Sequence, residues 1–135
     1  MKSLVWFRND LRMDDNPALR AACAESEEVH AIYIYSINQM ELHNEANSKI
    51  EFMIANLKSL EKSLDELNIP LTIIDSEGMN HDPSIILKLI NERTITNVYW
   101  NNQFGIDEES RDKELQELLK VNNINYLSYD AQVLF

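Results

Sequence analysis

Polar side chains able to bind a ligand or move a proton crowd the positions that directly follow two apolar runs. After Leu4, Val5, Trp6 and Phe7 come Arg8, Asp10 and Arg12; after Val98, Tyr99 and Trp100 come Asn101, Asn102, Gln103, Asp107 and Glu108. The two arginines could hold an anion, or they could pair with Asp10 and tie the first loop down, since arginine–carboxylate pairs commonly fix loops. Asp107 and Glu108 could accept hydrogen bonds from the amide-like edge of a ligand. They equally suit the cap and first turn of a helix, whose dipole favours negative charge. Ser36 opens a polar stretch, residues 35–47, that is longer than an ordinary strand-to-helix connection, which makes it a natural functional loop. His43 lies within that stretch and could meet a ligand from there or remain a solvated side chain.

Several chemistries are excluded by residues the chain lacks. Its only glycines, Gly78 and Gly105, are too few for a dinucleotide fingerprint or a Walker A loop, both of which need several glycines for close backbone approach to phosphate. Asp75 would fit the third-strand acid of a phospho-acceptor site, but Ser128, Tyr129 and Asp130 offer no lysine after the fifth strand. The single Cys23 can form no intramolecular disulfide, so a reducing cytoplasm is the expected compartment. His30, His43 and His81 fall in different segments without ligand-like spacing, and no catalytic metal is expected. Twelve Lys and Arg against 23 Asp and Glu leave a net charge of −11, which argues against a DNA-binding face on this chain itself, because phosphate binding needs a basic surface. No apolar run approaches the ~20 residues of a membrane span, and Arg8 and Asp10 interrupt the N-terminus before a signal-peptide core could form.

The elements that must position these side chains follow from periodicity. Short runs rich in β-branched and aromatic residues recur at 4–7, 29–35, 71–74, 97–100 and 125–129. Mostly unalternated, they predict strands covered on both faces. Between them Ile50, Met53, Ile54, Leu57, Leu60, Leu64 and Leu67 repeat at three- and four-residue spacing, a helical core stripe. Asn16-Pro17 and Asp82-Pro83 each read as an N-cap followed by proline at the first helical position. A last helix is expected to begin near Asp107 and to turn Leu115, Leu118 and Leu119 inward. Five strands alternating with four helical segments predict a doubly wound α/β domain, a parallel sheet in the order 3-2-1-4-5 with helices on both faces. The ligand crevice of such a sheet lies beyond the carboxyl ends of its strands, where Arg8, Ser36 and the segment from Asn101 to Glu108 gather. At 135 residues the chain makes about one domain. It ends on the apolar Ala131, Gln132, Val133, Leu134 and Phe135, which predicts continuation into a second domain.

The segment from Leu4 to Leu19, LVWFRNDLRMDDNPAL, closely resembles the opening of DNA photolyases and cryptochromes. A second patch, from Tyr99-Trp100-Asn101-Asn102-Gln103-Phe104 through Asp107-Glu108 to Arg111-Asp112, is similar to the fourth-strand signature of that family, the folate-binding photolyases especially. The resemblance covers essentially all 135 residues. It implies an N-terminal antenna domain over residues 1–135, with a helical C-terminal domain outside this chain that holds FAD and damaged DNA. It also implies an antenna pigment, methenyltetrahydrofolate above all, otherwise a deazaflavin or another flavin. That pigment passes excitation to reduced FAD, which then splits a cyclobutane pyrimidine dimer. Carried over by position, the folate contacts fall on His43 and Glu108. The position before Glu108, asparagine in the folate-type pattern, is Asp107 here, and an ionised carboxylate accepts but cannot donate. A further family contact, a lysine, would come from the other domain. Arg8 and Ser36 lie near the flavin-type antenna positions. A cryptochrome-type photoreceptor and a purely structural α/β domain are the alternative readings.

Overall fold

The computed structural model describes residues 1–42 and 47–130. His43 and the apolar tail, residues 131–135, lie outside the described residues. Five strands form one sheet: β1 (Lys2–Phe7), β2 (Glu28–Tyr35), β3 (Leu71–Asp75), β4 (Asn97–Asn101) and β5 (Asn125–Tyr129). Their order is β3-β2-β1-β4-β5 and every neighbouring pair is parallel, as the alternation of strand and helix requires.

Alternation along β1 shows how both faces are used. Leu4 and Trp6 point into one core, with Ile86, Leu89 and Ile90 of α4 (Asp82–Arg93) and Leu115 and Leu119 of α5 (Ile106–Val121). Val5 and Phe7 point into the other, with Ala18, Leu19 and Ala22 of α1 (Pro17–Glu25) and Leu60 and Leu64 of α3 (Asn47–Glu66). The inner strands β1 and β4 are buried nearly throughout, while the edge strands β3 and β5 keep partly exposed side chains. Coverage on both faces thus holds for the middle of the sheet and fails at its edges, where no further strand among the described residues flanks it.

Three local expectations need correction. The 35–47 stretch is not all loop: α2 (Ile37–Leu42) occupies its first half, and Gln39 N–H donates to Ser36 Oγ at 3.2 Å, which caps that short helix. Among the described residues the α-helices between the strands therefore number five, not four. Asp82 does not cap α4. A 3-10 turn over Met79–His81 runs straight into the helix, so that Asp82 is already helical (φ −56°, ψ −47°) and its buried carboxylate is free for a tertiary role. Along α3, Leu57, Leu60 and Leu64 are buried as the stripe predicts, but Ile54 and Leu67 are exposed. Asn16 does cap α1, with Leu19 N–H donating to Asn16 Oδ1 at 3.1 Å.

Candidate functional site

The sheet order places the divergence of the crossovers between β1 and β4, and beside it the carboxyl ends of β1 and β2 and the segments that follow β2, β3 and β4 line a cleft of about 350 Å³. Its lining includes Trp6, Arg8, Tyr35, Ser36, Glu108 and Arg111. A cleft of this size lies within the ~300–1,000 Å³ usual for small-ligand sites.

The floor is an ionic cluster that sequence spacing does not reveal. Arg8 Nη2 donates to Asp112 Oδ2 at 3.0 Å and Arg8 Nη1 to Gln103 Oε1 at 3.2 Å. Arg111 donates from Nε to Asp112 Oδ1 at 3.1 Å and from Nη2 to the same Gln103 oxygen at 2.7 Å. A looser contact, 3.9 Å, joins Arg111 Nη1 to Asp82 Oδ2. The two guanidinium carbons lie 4.1 Å (Arg8) and 4.6 Å (Arg111) from the Trp6 ring centroid, within cation–π range. Desolvation lowers the Arg8 guanidinium to about 10 against the raising pull of Asp112. Burial also lifts the Asp82 carboxyl to about 6, because the opposing attraction of Arg111 and Arg8 only partly offsets lost hydration. Asp82 Oδ1 and Arg8 Nε have no hydrogen-bond partner among the described residues.

A second network ties the first loop to the end of β4. Asn101 Nδ2 donates to Asp10 Oδ2 at 2.6 Å and to Asn16 Oδ1 at 2.7 Å, while Asn101 Oδ1 accepts from the buried Ala18 N–H at 3.1 Å. The pairing of Arg8 and Arg12 with Asp10 is therefore replaced. Asp10 Oδ1 takes the Arg8 backbone N–H at 2.8 Å, and Arg12 donates to the carbonyls of Asp14 and Asp15. The loop is tied down, through backbone groups and Asn101, with the Arg8 guanidinium turned to α5.

Of the sequence-derived candidates, Arg8, Ser36 and Glu108 line the same cleft although they come from three separate segments. Asp107 is exposed on the first turn of α5 and is not among the residues lining that cleft. Glu108 folds back over Gly105, where φ is +152° and an added Cβ would stand 2.2 Å from Glu108 Oε2; glycine is what allows the carboxylate to lie at the cleft mouth. Sequence reasoning missed Asp82 and Arg111 as cleft residues, while Gln103 belongs to the segment it placed there. One signal was present: Arg111 and Asp112 precede Leu115 and Leu119 by three- and four-residue steps, which places two charges on the buried face of α5. With Trp6, Tyr33 and Tyr35 on its walls and Ser36, Gln39, Gln103 and Glu108 among its polar groups, the cleft suits a flat heteroaromatic ring with hydrogen-bonding edges.

The family model for DNA photolyase matches residues 3–135. The deoxyribodipyrimidine photo-lyase of Escherichia coli (strain K12) is 34% identical over 132 residues, which is 97% of this chain and 28% of that protein. Cryptochrome-2 of Arabidopsis thaliana is 31% identical over 134 residues, 99% of this chain and 21% of the relative. Among solved structures, the class III photolyase of Agrobacterium tumefaciens superposes with a TM-score of 0.72 at 26% identity, covering 96% of this chain and 25% of that one. The photolyase of Sulfolobus tokodaii, solved with two FAD molecules, gives a TM-score of 0.81 at 23% identity over 96% of this chain and 29% of its own, a likeness of fold. The chain thus spans less than a third of the length of the relatives it matches.

Proposed function

The chain belongs to the DNA photolyase family, and from that membership we propose that it is the N-terminal light-harvesting domain of a deoxyribodipyrimidine photolyase, working in the cytoplasm. In this reading the lyase activity, FAD and the contact with damaged DNA belong to a C-terminal helical domain, and this chain alone repairs nothing. The pigment, methenyltetrahydrofolate, supplies absorption of near-ultraviolet and blue light and transfer of that excitation to FAD.

One observation carries the reading: Arg8, Ser36 and Glu108, drawn from three segments, line one cleft at the carboxyl edge of the sheet. Glu108 accepts from the amino-pyrimidine edge of the pterin, while the aromatic walls exclude water and hold the ring flat. The loss of one charge-assisted hydrogen bond costs ~1.5–3 kcal/mol, or about one to two decades in affinity. Titration of methenyltetrahydrofolate into the full-length protein, followed by near-ultraviolet absorbance, tests this. Glu108→Ala is expected to weaken binding by about one to two decades. Asp107→Asn, at a side chain outside the lining of that cleft, leaves binding unchanged. Unchanged binding in Glu108→Ala removes the folate assignment.

A flavin or deazaflavin pigment is the second reading, favoured by the position of Arg8 and Ser36 beside Trp6 in the same cleft. Competition between riboflavin and methenyltetrahydrofolate separates the two. The 31% identity to a cryptochrome keeps a photoreceptor role as the alternative for the whole protein. Complementation of a photolyase-deficient strain with the full-length gene under visible light decides it.

A further inference from the structure

Trp6 is an electron-rich indole in the wall of the cleft, 2% exposed, with one guanidinium at 4.1 Å and a second at 4.6 Å from its ring centroid. An indole beside an excited pterin or flavin is a quencher. One electron passes from the indole π system to the excited ring, leaving an indole radical cation and a reduced ring, and the excitation is lost. We propose that Arg8 and Arg111 hold Trp6 as a poor electron donor, so that a pterin or flavin excited in this cleft passes its energy on.

The inference rests on the light-harvesting reading and on the closeness of both guanidiniums to the Trp6 ring. Removing an electron from Trp6 would place a new positive charge beside two cations, in a site where water is excluded and like-charge repulsion is weakly screened. Asp112 and Asp82 approach the guanidiniums through their N–H groups, so the ring keeps the cations as its immediate neighbours. Trp6 also meets Trp100 edge-on at 6.1 Å, and Trp100 stacks on Tyr126 at 5.6 Å. An electron hole formed on Trp6 would have an aromatic route to the edge of the sheet, which makes its suppression at the first ring consequential. Arg8 and Arg111 are positioning residues here, acting through Trp6.

The test uses the full-length protein loaded with methenyltetrahydrofolate, occupancy first checked by absorbance, and measures by transient absorption the indole radical formed per photon that the folate absorbs. Arg111→Gln should raise this yield on the order of tenfold, the factor equivalent to ~1.4 kcal/mol. Arg111→Lys should stay near wild type, and Trp6→Phe added to Arg111→Gln should return the yield to baseline. Arg8→Gln, acting from the second guanidinium, carries the same expectation should Arg111→Gln not fold. A folate-loaded Arg111→Gln protein with unchanged yield, or a raised yield that survives Trp6→Phe, overturns the inference and leaves the antenna reading intact. If the wild-type protein takes up neither methenyltetrahydrofolate nor riboflavin, the antenna reading falls and takes this inference with it.

Discussion

Arg8 and Asp112 stand 104 residues apart in sequence and meet at 3.0 Å, joining the end of β1 to the second turn of α5. Both side chains are more than nine-tenths buried. Charges so placed persist because most of their hydrogen-bonding capacity is met, Arg8 Nε excepted: Asp112 takes Arg111 on its other oxygen, and Gln103 accepts from both arginines. The pair therefore belongs to a unit whose members depend on one another.

Asp112→Ala is expected to destabilise the fold by ~3–5 kcal/mol, since it strands two buried guanidiniums with Asp82 as the nearby carboxylate. Urea denaturation measures this. A loss below about 1 kcal/mol, the range of exposed pairs, would mean that water reaches the cluster.

Asp82 gives stability a defined pH dependence. Its carboxyl titrates near 6 in the fold against 3.8 ordinarily, so between these values the folded chain binds the proton more tightly than the unfolded chain does. The contribution is present below pH 3.8 and is lost as pH rises through about 6, an effect of about 2–3 kcal/mol. The difference in stability between wild type and Asp82→Asn should therefore shift against the wild type across that window. A difference that stays flat with pH contradicts the burial of this carboxylate.

Gly105→Ala should cost ~1–3 kcal/mol, because φ +152° lies in a region that residues with a Cβ avoid. The new Cβ would also push the Glu108 carboxylate from the cleft mouth. Adding Glu108→Ala removes that collision and leaves the backbone term, so the double variant should recover little stability in denaturant titration. Full recovery would place the whole effect in the side-chain collision.

Asn101→Ala leaves the buried Ala18 N–H without its acceptor and takes one donor each from Asp10 and Asn16, which keep the Arg8 and Leu19 backbone N–H groups. The stranded buried N–H costs ~1–3 kcal/mol. Amide hydrogen exchange should accelerate first at Ala18 and Leu19, the start of α1. Exchange that accelerates evenly along the chain would show global destabilisation instead of a local tie.

Much of this protein is legible from local pattern. The five strands, the parallel order and the start of α1 at Pro17 follow from short apolar runs, helical spacing and an Asn-Pro cap, all of which act within a few residues. Even the edge where Arg8, Ser36 and Glu108 gather follows from strand order, because every parallel strand ends on the same side. Tertiary structure decided the rest. Asp107 and Glu108 are neighbours in sequence, yet successive helical residues point about 100° apart, so that one meets solvent and the other lines the cleft. Asp82 reads as a cap until the preceding 3-10 turn draws it into α4 and turns it toward Arg111. Which charges pair, and at what cost in hydration, depends on how α4 and α5 close over β1 and β4. Charge type and spacing hold no record of that closure, because desolvation is a property of the packed neighbours and not of the residue that carries the charge.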